Sequence, residues 1–243
     1  MKVVGIIPAR FDSSRFPGKP LADICGYPMV WWVYQAASKA KLSEIIVATD
    51  DKRISSVCEK FKIPHIMTKN HSSGIARIAE AANYIKADFY VQINGDEPLI
   101  RPELINRILP KKLSLKEVEV YNIVAKIKDP AELMCPSNIK VVFNENYEVL
   151  YMSRSVIPTP YNSLEVPFYK HVGILGYNKL ALEFFINSKM GMLEKLEGLE
   201  TLRFIEGRQR FFAICVESCE SLSVDTKKDL EKAKKQMKLR LKK

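Results

Sequence analysis

The sequence has few features of a secreted or membrane-embedded protein. Among its 243 residues there are 5 cysteines, an odd number, and no CxxC pair. Neither a disulfide framework nor a structural zinc site is therefore indicated. No apolar stretch approaches the roughly 20 residues that a membrane-spanning helix needs. Lys2 is followed by only five apolar residues before Pro8, too few for a signal peptide. We expect a cytoplasmic protein that does not contact a membrane.

Acidic residues are outnumbered by basic ones, 28 against 38, which gives a formal net charge of +10. The excess is concentrated in residues 226–243, where nine Lys or Arg meet only two acids. Leu230, Ala233 and Met237 recur there at helical spacing, which predicts a C-terminal helix with a solvated basic face. A nucleic-acid-binding surface is the alternative, and it would depend on this tail alone. We expect no nucleic-acid partner.

Short β-branched runs alternate with amphipathic segments through the first half of the chain, which predicts right-handed βαβ units and an α/β fold with a mostly parallel sheet. A hairpin and a proline-rich loop follow. The predicted strands are 3–7, 44–49, 64–67, 89–93, 118–127, 139–143, 149–152, 170–177 and 211–216. The predicted helices are 29–41, 54–61, 75–85, 102–109, 180–187 and 194–205, and residues 23–28 are predicted to form a turn. Asp50-Asp51 is a plausible N-cap for the helix 54–61.

The loop after the first predicted strand carries three cations, Arg10, Arg15 and Lys19. We expect Pro8 to end the strand, because proline has no N–H to donate to the sheet. The loop then lies at the carboxyl edge of the sheet, where open α/β folds bind their ligands. Two guanidinium groups and an ammonium suit a polyanion such as a triphosphate. A solvated loop that happens to be basic is the alternative.

A second polar segment, Gly95-Asp-Glu-Pro98, follows the predicted strand 89–93 directly. Asp96 should therefore reach the same edge of the sheet as the loop that carries Arg10. A carboxylate beside bound phosphates can hold Mg²⁺, which prefers oxygen ligands. An Asx-turn without a metal would also account for this aspartate.

These motifs together resemble those of the 3-deoxy-manno-octulosonate cytidylyltransferases, or CMP-Kdo synthetases. The matching segments are Ile7-Pro-Ala-Arg10, Ser14-Arg15, Pro17-Gly-Lys-Pro-Leu21, Gly95-Asp-Glu-Pro98 and Val224-Asp-Thr226. Further matches are His71, Ser73, Gly74 and Arg77, and the pairs Ser153-Arg154, Lys170-His171 and Leu199-Glu200. The resemblance implies a three-layer α/β/α nucleotidyltransferase of Rossmann-like type. It also implies a homodimer of a single domain, residues 1–243. Residues 158–189 are expected to form an excursion from this domain, and this excursion is the expected dimerisation lobe.

The resemblance further assigns roles to individual residues, with CTP, an acidic sugar and Mg²⁺ as the ligands. Asp96 and Asp225 are the expected magnesium ligands, although Asp225 or Thr226 could instead cap the C-terminal helix. His71 taken alone is more typical of a packed or capping histidine. The expected catalytic residues are Arg10, Lys19 and Asp96. The expected nucleotide-binding residues are Pro8, Ala9, Arg10, Arg15, Lys19, His71, Ser73 and Gly74.

The sugar-binding set implied by the resemblance contains three departures from the family pattern. Ile75 stands where the family has Thr, Ala76 where it has an acid, and Asn94 where it has Gln. These changes favour, as an alternative, the same chemistry on another acid, such as an amino-Kdo or a nonulosonic acid. An inactive homologue that only binds the nucleotide is a further alternative. The expected sugar-binding residues are Arg77, Asn94, Arg154, His171 and Glu200.

Overall fold

The structure, a computed structural model, describes residues 1–12, 16–162, 166–219 and 222–242. The chain divides into two compact units, the first formed by Met1–Leu109 with Glu220–Lys243 and the second by Pro110–Cys219. That residues 1–243 act as a single domain, with an excursion at 158–189, stays a prediction.

The first unit contains a sheet of four parallel strands: β1 (Val3–Ala9), β4 (Glu44–Thr49), β5 (His65–Met67) and β6 (Phe89–Ile93). The strand order is β6-β1-β4-β5, and β1 pairs in parallel with both of its neighbours. The chain moves from β1 outwards to β5 and then returns to the other side of β1. The strand order thus reverses between β1 and β6, where ligands bind in folds of this class.

The strand β1 is longer than predicted, because it continues through Pro8 to Ala9. Its pairing with β6 ends at Ile6, opposite Gln92, whereas its pairing with β4 continues to Ala9. Proline is tolerated in a strand where its nitrogen needs no ladder partner. The prediction that Pro8 ends the strand was therefore wrong by two residues.

The helices of the first unit follow its strands in the predicted alternation. The helix predicted at 29–41 was too long, because the structure ends it at Ala37 and the chain continues in tighter turns, in which the N–H of Ala40 donates to the carbonyl of Ala37. They are α1 (Met29–Ala37), α2 (Lys52–Lys60), α3 (Gly74–Tyr84), α4 (Pro102–Arg107) and α9 (Lys227–Leu241). Asp51 caps α2, as predicted, by accepting a hydrogen bond from Arg53 N–H. The C-terminal helix buries the predicted apolar face, Leu230, Ala233 and Met237, in a cluster with Ile24 and Met29.

Residues 23–28, predicted as a turn, form a two-stranded hairpin of β2 (Asp23–Ile24) and β3 (Tyr27–Pro28). Cys25 and Gly26 connect the strands, and both have positive φ angles, 53° and 90°. The turn was therefore correctly placed, but its flanking strands were missed. Two-residue strands give no alternation for a sequence pattern to detect.

The second unit is built on β7 (Glu119–Lys126), β8 (Lys140–Phe143), β9 (Val149–Ser153), β10 (Tyr169–Asn178) and β11 (Arg210–Val216). The strand β7 pairs in parallel with β11 and antiparallel with β10. The strand β8 joins β10 to β9, and both of these pairings are antiparallel. All five strands were predicted to within two residues at each end.

The predicted helix 194–205 was wrong, because the segment forms two short helices. They are α7 (Met192–Glu197) and α8 (Leu202–Glu206). Gly198 ends the first with φ 64° and ψ 37°, a left-handed conformation that glycine adopts at little cost. The remaining helices of the unit are α5 (Pro130–Met134), which was not predicted, and α6 (Lys179–Asn187).

Replacing Gly198 with alanine should lower the free energy of unfolding by about 1–2 kcal/mol, because a Cβ is disfavoured in the left-handed conformation. A Cβ at this position would meet no atom within 4 Å, so the backbone conformation alone sets the cost. Urea denaturation measures the change. Gly198→Asn is the control and should lose less, since asparagine tolerates this conformation. Equal losses for both variants would contradict this explanation.

No helix in the described part of the chain has both the length and the apolar character to cross a lipid bilayer.

Candidate active site

The loop after β1 is closed by contacts between Phe11 and Gly18. The N–H of Gly18 donates to the carbonyl of Phe11 at 2.8 Å. Gly18 has φ 71°, and a Cβ there would lie 3.1 Å from the Phe11 ring. The guanidinium carbon of Arg53 lies 3.2 Å from the centre of the same ring. This packing fixes the turn from which Lys19 emerges, at the start of a 3₁₀ turn.

Arg10 immediately follows β1 and is exposed. Its Nη1 atom lies 3.5 Å from the carbonyl oxygen of Ser72. Pro8 and Ala9 form the last residues of β1, and the side chain of Ala9 is buried. Arg15, predicted to bind the nucleotide, lies outside the described residues.

Lys19 lies between two aspartates that are far apart in the sequence. Its Nζ atom is 2.7 Å from Oδ2 of Asp96 and 3.3 Å from Oδ1 of Asp225. The side chains of Lys19, Asp96 and Asp225 are 14%, 22% and 25% exposed, so water can reach the cluster from one side. One ammonium therefore compensates two carboxylates at the point where the strand order reverses.

Asp96 reaches this position because the backbone before it is tightly packed. A Cβ at Gly95 would lie 3.0 Å from the carbonyl oxygen of Pro8, which makes glycine the residue that fits. The second carboxylate oxygen of Asp96, Oδ1, is buried and has no hydrogen-bond partner among the described residues. A buried acceptor in that state costs about 1–3 kcal/mol, and a bound cation would remove that cost.

Asp225 does not cap the C-terminal helix, because its neighbour Thr226 does. The side chain of Thr226 accepts from the backbone N–H of Asp229, whose carboxylate accepts from the backbone N–H of Thr226. This reciprocal pair is a capping box. The N–H of Val224 donates to the backbone carbonyl of Asp96 at 2.9 Å, so the two aspartates are tied together through the main chain.

His71 is engaged by a carboxylate in its own segment. Its Nε2 atom donates to Oε2 of Glu80 in a short hydrogen bond, and the backbone N–H of Lys69 donates to the same oxygen. Burial raises the pKa of Glu80, but these hydrogen bonds outweigh it and lower the pKa overall. Ser73 caps α3 by accepting from the N–H of Ala76 at 3.1 Å, and Gly74 is the first residue of that helix.

Arg77 and Asn94, both predicted to bind the sugar, have protein partners in this structure. Arg77 is buried, and its guanidinium donates to Oγ1 of Thr68 at 2.6 Å and to Oδ2 of Asp50 at 2.9 Å. The Oδ1 atom of Asn94 accepts from Nε2 of Gln92 at 2.8 Å. Their sugar-binding roles stay predictions.

Ile75, one of the departures from the family pattern, is buried with 2% exposure. Its side chain therefore lies in the core of the first unit, so the difference from the family's Thr affects the packing of that core.

In the second unit, Arg154 is held by Glu197. Its backbone N–H donates to Oε2 of Glu197 at 3.0 Å, and its Nε atom donates to the Glu197 carbonyl at 2.9 Å. The hydroxyl of Ser153 also donates to Glu197, at 2.6 Å. Burial alone would raise the pKa of Glu197, but these hydrogen bonds lower it. Glu197 is thus an ionised anchor for the predicted sugar-binding arginine.

His171 lies on β10, and its Nδ1 atom is 2.8 Å from Oδ1 of Asn122 on β7. Burial, reinforced by the charge of Arg154, lowers the pKa of His171 to about 4. The imidazole is therefore neutral at physiological pH.

The last predicted sugar-binding residue, Glu200, is half-buried in the turn between α7 and α8.

Lys140, a buried residue of β8, contacts the backbone of Arg154. Its Nζ atom donates to three backbone carbonyls, those of Cys135, Asn138 and Arg154. This ammonium therefore fixes the backbone of Arg154.

The sequence reasoning missed Asn122, Glu197 and Glu80, each of which holds a predicted site residue. None of the three can be identified from the sequence, because each contacts a site residue that lies outside its own helix or strand.

A parallel sheet whose reversal point carries cations and two carboxylates is typical of open α/β proteins that bind their ligands at this edge of the sheet. Comparisons with known proteins identify the class further. Residues 4–212 match the family model described as cytidylyltransferase. A 3-deoxy-manno-octulosonate cytidylyltransferase of Fusobacterium nucleatum is 41% identical over 237 residues, which cover 95% of each chain.

Two further relatives agree with this match. An 8-amino-3,8-dideoxy-manno-octulosonate cytidylyltransferase of Shewanella pealeana is 40% identical, over 95% of this chain and 96% of its own. A solved CMP:2-keto-3-deoxy-manno-octonic acid synthetase, complexed with CTP, superposes with a TM-score of 0.92 at 37% identity. It covers 99% of this chain and 100% of its own.

This chain therefore belongs to the cytidylyltransferase family, and it is a nucleotidyltransferase. The predicted three-layer α/β/α fold of Rossmann-like type is confirmed by the match to the solved synthetase.

Proposed function

We propose that this protein transfers CMP from CTP to the anomeric hydroxyl of 3-deoxy-manno-octulosonate and releases pyrophosphate. The hydroxyl oxygen forms a bond to the α-phosphorus, the bond from that phosphorus to the pyrophosphate oxygen breaks, and the hydroxyl proton is lost. The product would serve lipopolysaccharide or capsule synthesis. The observation that carries this proposal is the cluster of Lys19, Asp96 and Asp225 at the reversal point of the sheet. The relatives named above support the choice of sugar.

The basic loop supplies the charges that the leaving group needs. Lys19 and Arg10 are proposed to hold the triphosphate and to stabilise the negative charge that develops on the departing pyrophosphate. We assign Arg15, Pro8 and Ala9 to the nucleotide on the resemblance alone. His71, Ser73 and Gly74 are assigned in the same way, and the exposed Arg10 near the Ser72 carbonyl supports placing this segment beside the loop.

Asp96 and Asp225 are proposed to hold Mg²⁺. The buried Oδ1 of Asp96, which lacks a hydrogen-bond partner among the described residues, supports this role, as does the gathering of two carboxylates around one cation. Within the described ranges, no group of three or more His, Cys, Asp or Glu residues comes together. Magnesium commonly binds one or two carboxylates and takes its other ligands from phosphate and water. When bound, it would withdraw charge from the α-phosphate.

The sugar acid is proposed to be bound by Arg77, Asn94, Arg154, His171 and Glu200. For Arg154 the support is its fixed geometry, since Glu197 and Lys140 hold its main chain. Its guanidinium donates from Nε and Nη1 to the carbonyls of Glu197 and Pro136, and the residue is still exposed. The homodimer, the dimerisation lobe at 158–189 and the cytoplasmic location are proposed on the resemblance alone.

A second candidate acceptor is the 8-amino sugar acid, because a relative named for that activity is almost as similar to this chain, 40% against 41% identity. Both acceptors require the same chemistry at the α-phosphorus. They differ only at the end of the sugar that does not react.

Pyrophosphate release tests the proposed function. With CTP and Mg²⁺ we expect release with 3-deoxy-manno-octulosonate and little release without an acceptor. The 8-amino sugar acid and a nonulosonic acid form the comparison panel, and Asp96→Asn is the matched inactive control. Faster release with another acid would keep the chemistry and change the acceptor. CTP binding without release for any acceptor would favour the inactive homologue and contradict the proposal.

A further inference from the structure

The strand that carries His171 contains a bulge at that residue. In the pairing of β10 with β7, His171 lies opposite Val124 and Leu175 lies opposite Asn122. Four steps along β10 therefore match two steps along β7, and the regular pairing is interrupted between them. Bulges redirect side chains and are common beside active sites.

The side chain of Asn122 occupies this interruption. It is fully buried, and its Nδ2 atom donates to the carbonyls of Val172 and Ile174 at 2.9 and 3.0 Å. These carbonyls belong to the bulge, where the ladder of β7 does not serve them. Only the amide nitrogen can donate two hydrogen bonds, so the orientation of the amide is fixed and Oδ1 faces His171.

The fixed amide decides where His171 carries its proton. The Oδ1 atom of Asn122 has no proton to give, and it lies 2.8 Å from Nδ1 of His171. That hydrogen bond requires a proton on Nδ1. A neutral imidazole carries one N–H only, so Nε2 is left as a hydrogen-bond acceptor.

We propose that Asn122 is a positioning residue of the sugar pocket, which holds His171 with Nδ1 protonated so that Nε2 accepts a hydrogen bond from a hydroxyl of the sugar acid. This inference rests on the proposed function, in which His171 contacts the sugar. An unprotonated nitrogen repels a carboxylate and accepts from a hydroxyl. The carboxylate of the sugar must then be bound by a cation, for which Arg154 is the candidate within the same unit.

The protonation of His171 can be read directly by long-range ¹H–¹⁵N NMR of protein labelled at histidine. The chain has only 3 histidines, so His65→Gln and His71→Gln assign the spectrum. We expect the Nδ1–H form for His171 in the wild-type protein near pH 7, and we expect its Nε2 resonance to shift when 3-deoxy-manno-octulosonate is added. An Nε2–H form, or an Nε2 resonance unchanged by the sugar, would overturn the proposal.

Two variants test whether Asn122 imposes this form. Asn122→Leu removes the acceptor at similar size, and we expect loss of the Nδ1–H form and a rise of about tenfold in the KM for the sugar, with the KM for CTP unchanged. Asn122→Asp keeps an oxygen beside Nδ1 and should retain the proton on Nδ1, although it loses the two hydrogen bonds that the amide donates to the bulge carbonyls. An unchanged KM for the sugar in a folded Asn122→Leu protein would overturn the proposal.

The experiment separates this inference from the function on which it rests. If the leucine variant does not fold, the wild-type spectrum and the sugar titration still decide the matter. Pyrophosphate release with an unshifted Nε2 resonance would remove the role of Asn122 and leave the function intact. No release with any acceptor would remove the function, whatever the protonation of His171.

Discussion

Replacing Lys19 with alanine should lower kcat/KM for CTP by about 10²–10³-fold. The ammonium is proposed to stabilise charge on the departing pyrophosphate, and the loss of one such group usually costs this much. Pyrophosphate release at saturating Mg²⁺ measures the change.

The same substitution should act in the opposite direction on the metal. Without nucleotide, the Lys19 ammonium lies against both Asp96 and Asp225, so it competes with Mg²⁺ for these oxygens. In Lys19→Ala the two carboxylates lose their compensating charge, and like charges in one site favour a bound cation. We expect tighter binding of Mn²⁺, used as a spectroscopic probe, to the variant in the absence of CTP.

Lys39→Ala is the control, because Lys39 is exposed in the same unit. It should change neither turnover nor metal binding. Unchanged turnover in Lys19→Ala would remove the loop from catalysis, and weaker Mn²⁺ binding would show that the lysine does not compete with the metal.

Asp225→Asn should lower turnover by about 10²-fold or more, because one of two proposed metal ligands loses its charge. Its effect on the free energy of unfolding should stay within about 0.5 kcal/mol, since Thr226, and not Asp225, caps the helix. A raised Mg²⁺ requirement in the pyrophosphate assay would accompany the loss of turnover.

The neighbouring residue supplies the control. Thr226→Ala removes the cap and should cost about 1 kcal/mol of stability, with turnover unchanged below the melting transition. Urea denaturation and the pyrophosphate assay, applied to both variants, separate the two roles. If Asp225→Asn lost stability while retaining turnover, the assignment of Asp225 to the metal would be wrong.

The regular elements of the fold could be predicted because the strands of the first unit are continuous apolar runs and its helices have clear starts. The strand Glu44–Thr49 and the cap at Asp51 are examples. The failures share a different cause. Pro8 stays in its strand because a particular neighbour stops pairing at Ile6, and no local pattern reports where a neighbouring strand ends.

The candidate site was predictable to the extent that its residues follow strands directly. Asp96 could be placed beside the basic loop because parallel neighbouring strands end at one edge. Asp225 could not be separated from a helix cap by sequence, since Asp and Thr both cap well. The structure distinguishes them through the reciprocal hydrogen bonds of Thr226 and Asp229.

The residues that hold the site residues in place could not be predicted from the sequence. Asn122 donates to carbonyls that the regular ladder leaves unpaired only because β10 has a bulge. Glu197 and Arg154 come into contact only in the folded protein. A buried polar residue in a strand is a weak signal until its partners are known.

The hydrogen bond from Val224 to Asp96 has a consequence for how the protein is made. Synthesis runs from the N-terminus, so Lys19 and Asp96 leave the ribosome before Asp225, which lies on the segment that also contributes Leu230 and Met237 to the core. A nascent chain that has not yet reached Asp225 can hold the basic loop and one carboxylate, yet it lacks the second. Because Asp225 is a proposed metal ligand, we expect CMP transfer to begin only after the segment that carries it has left the ribosome and docked.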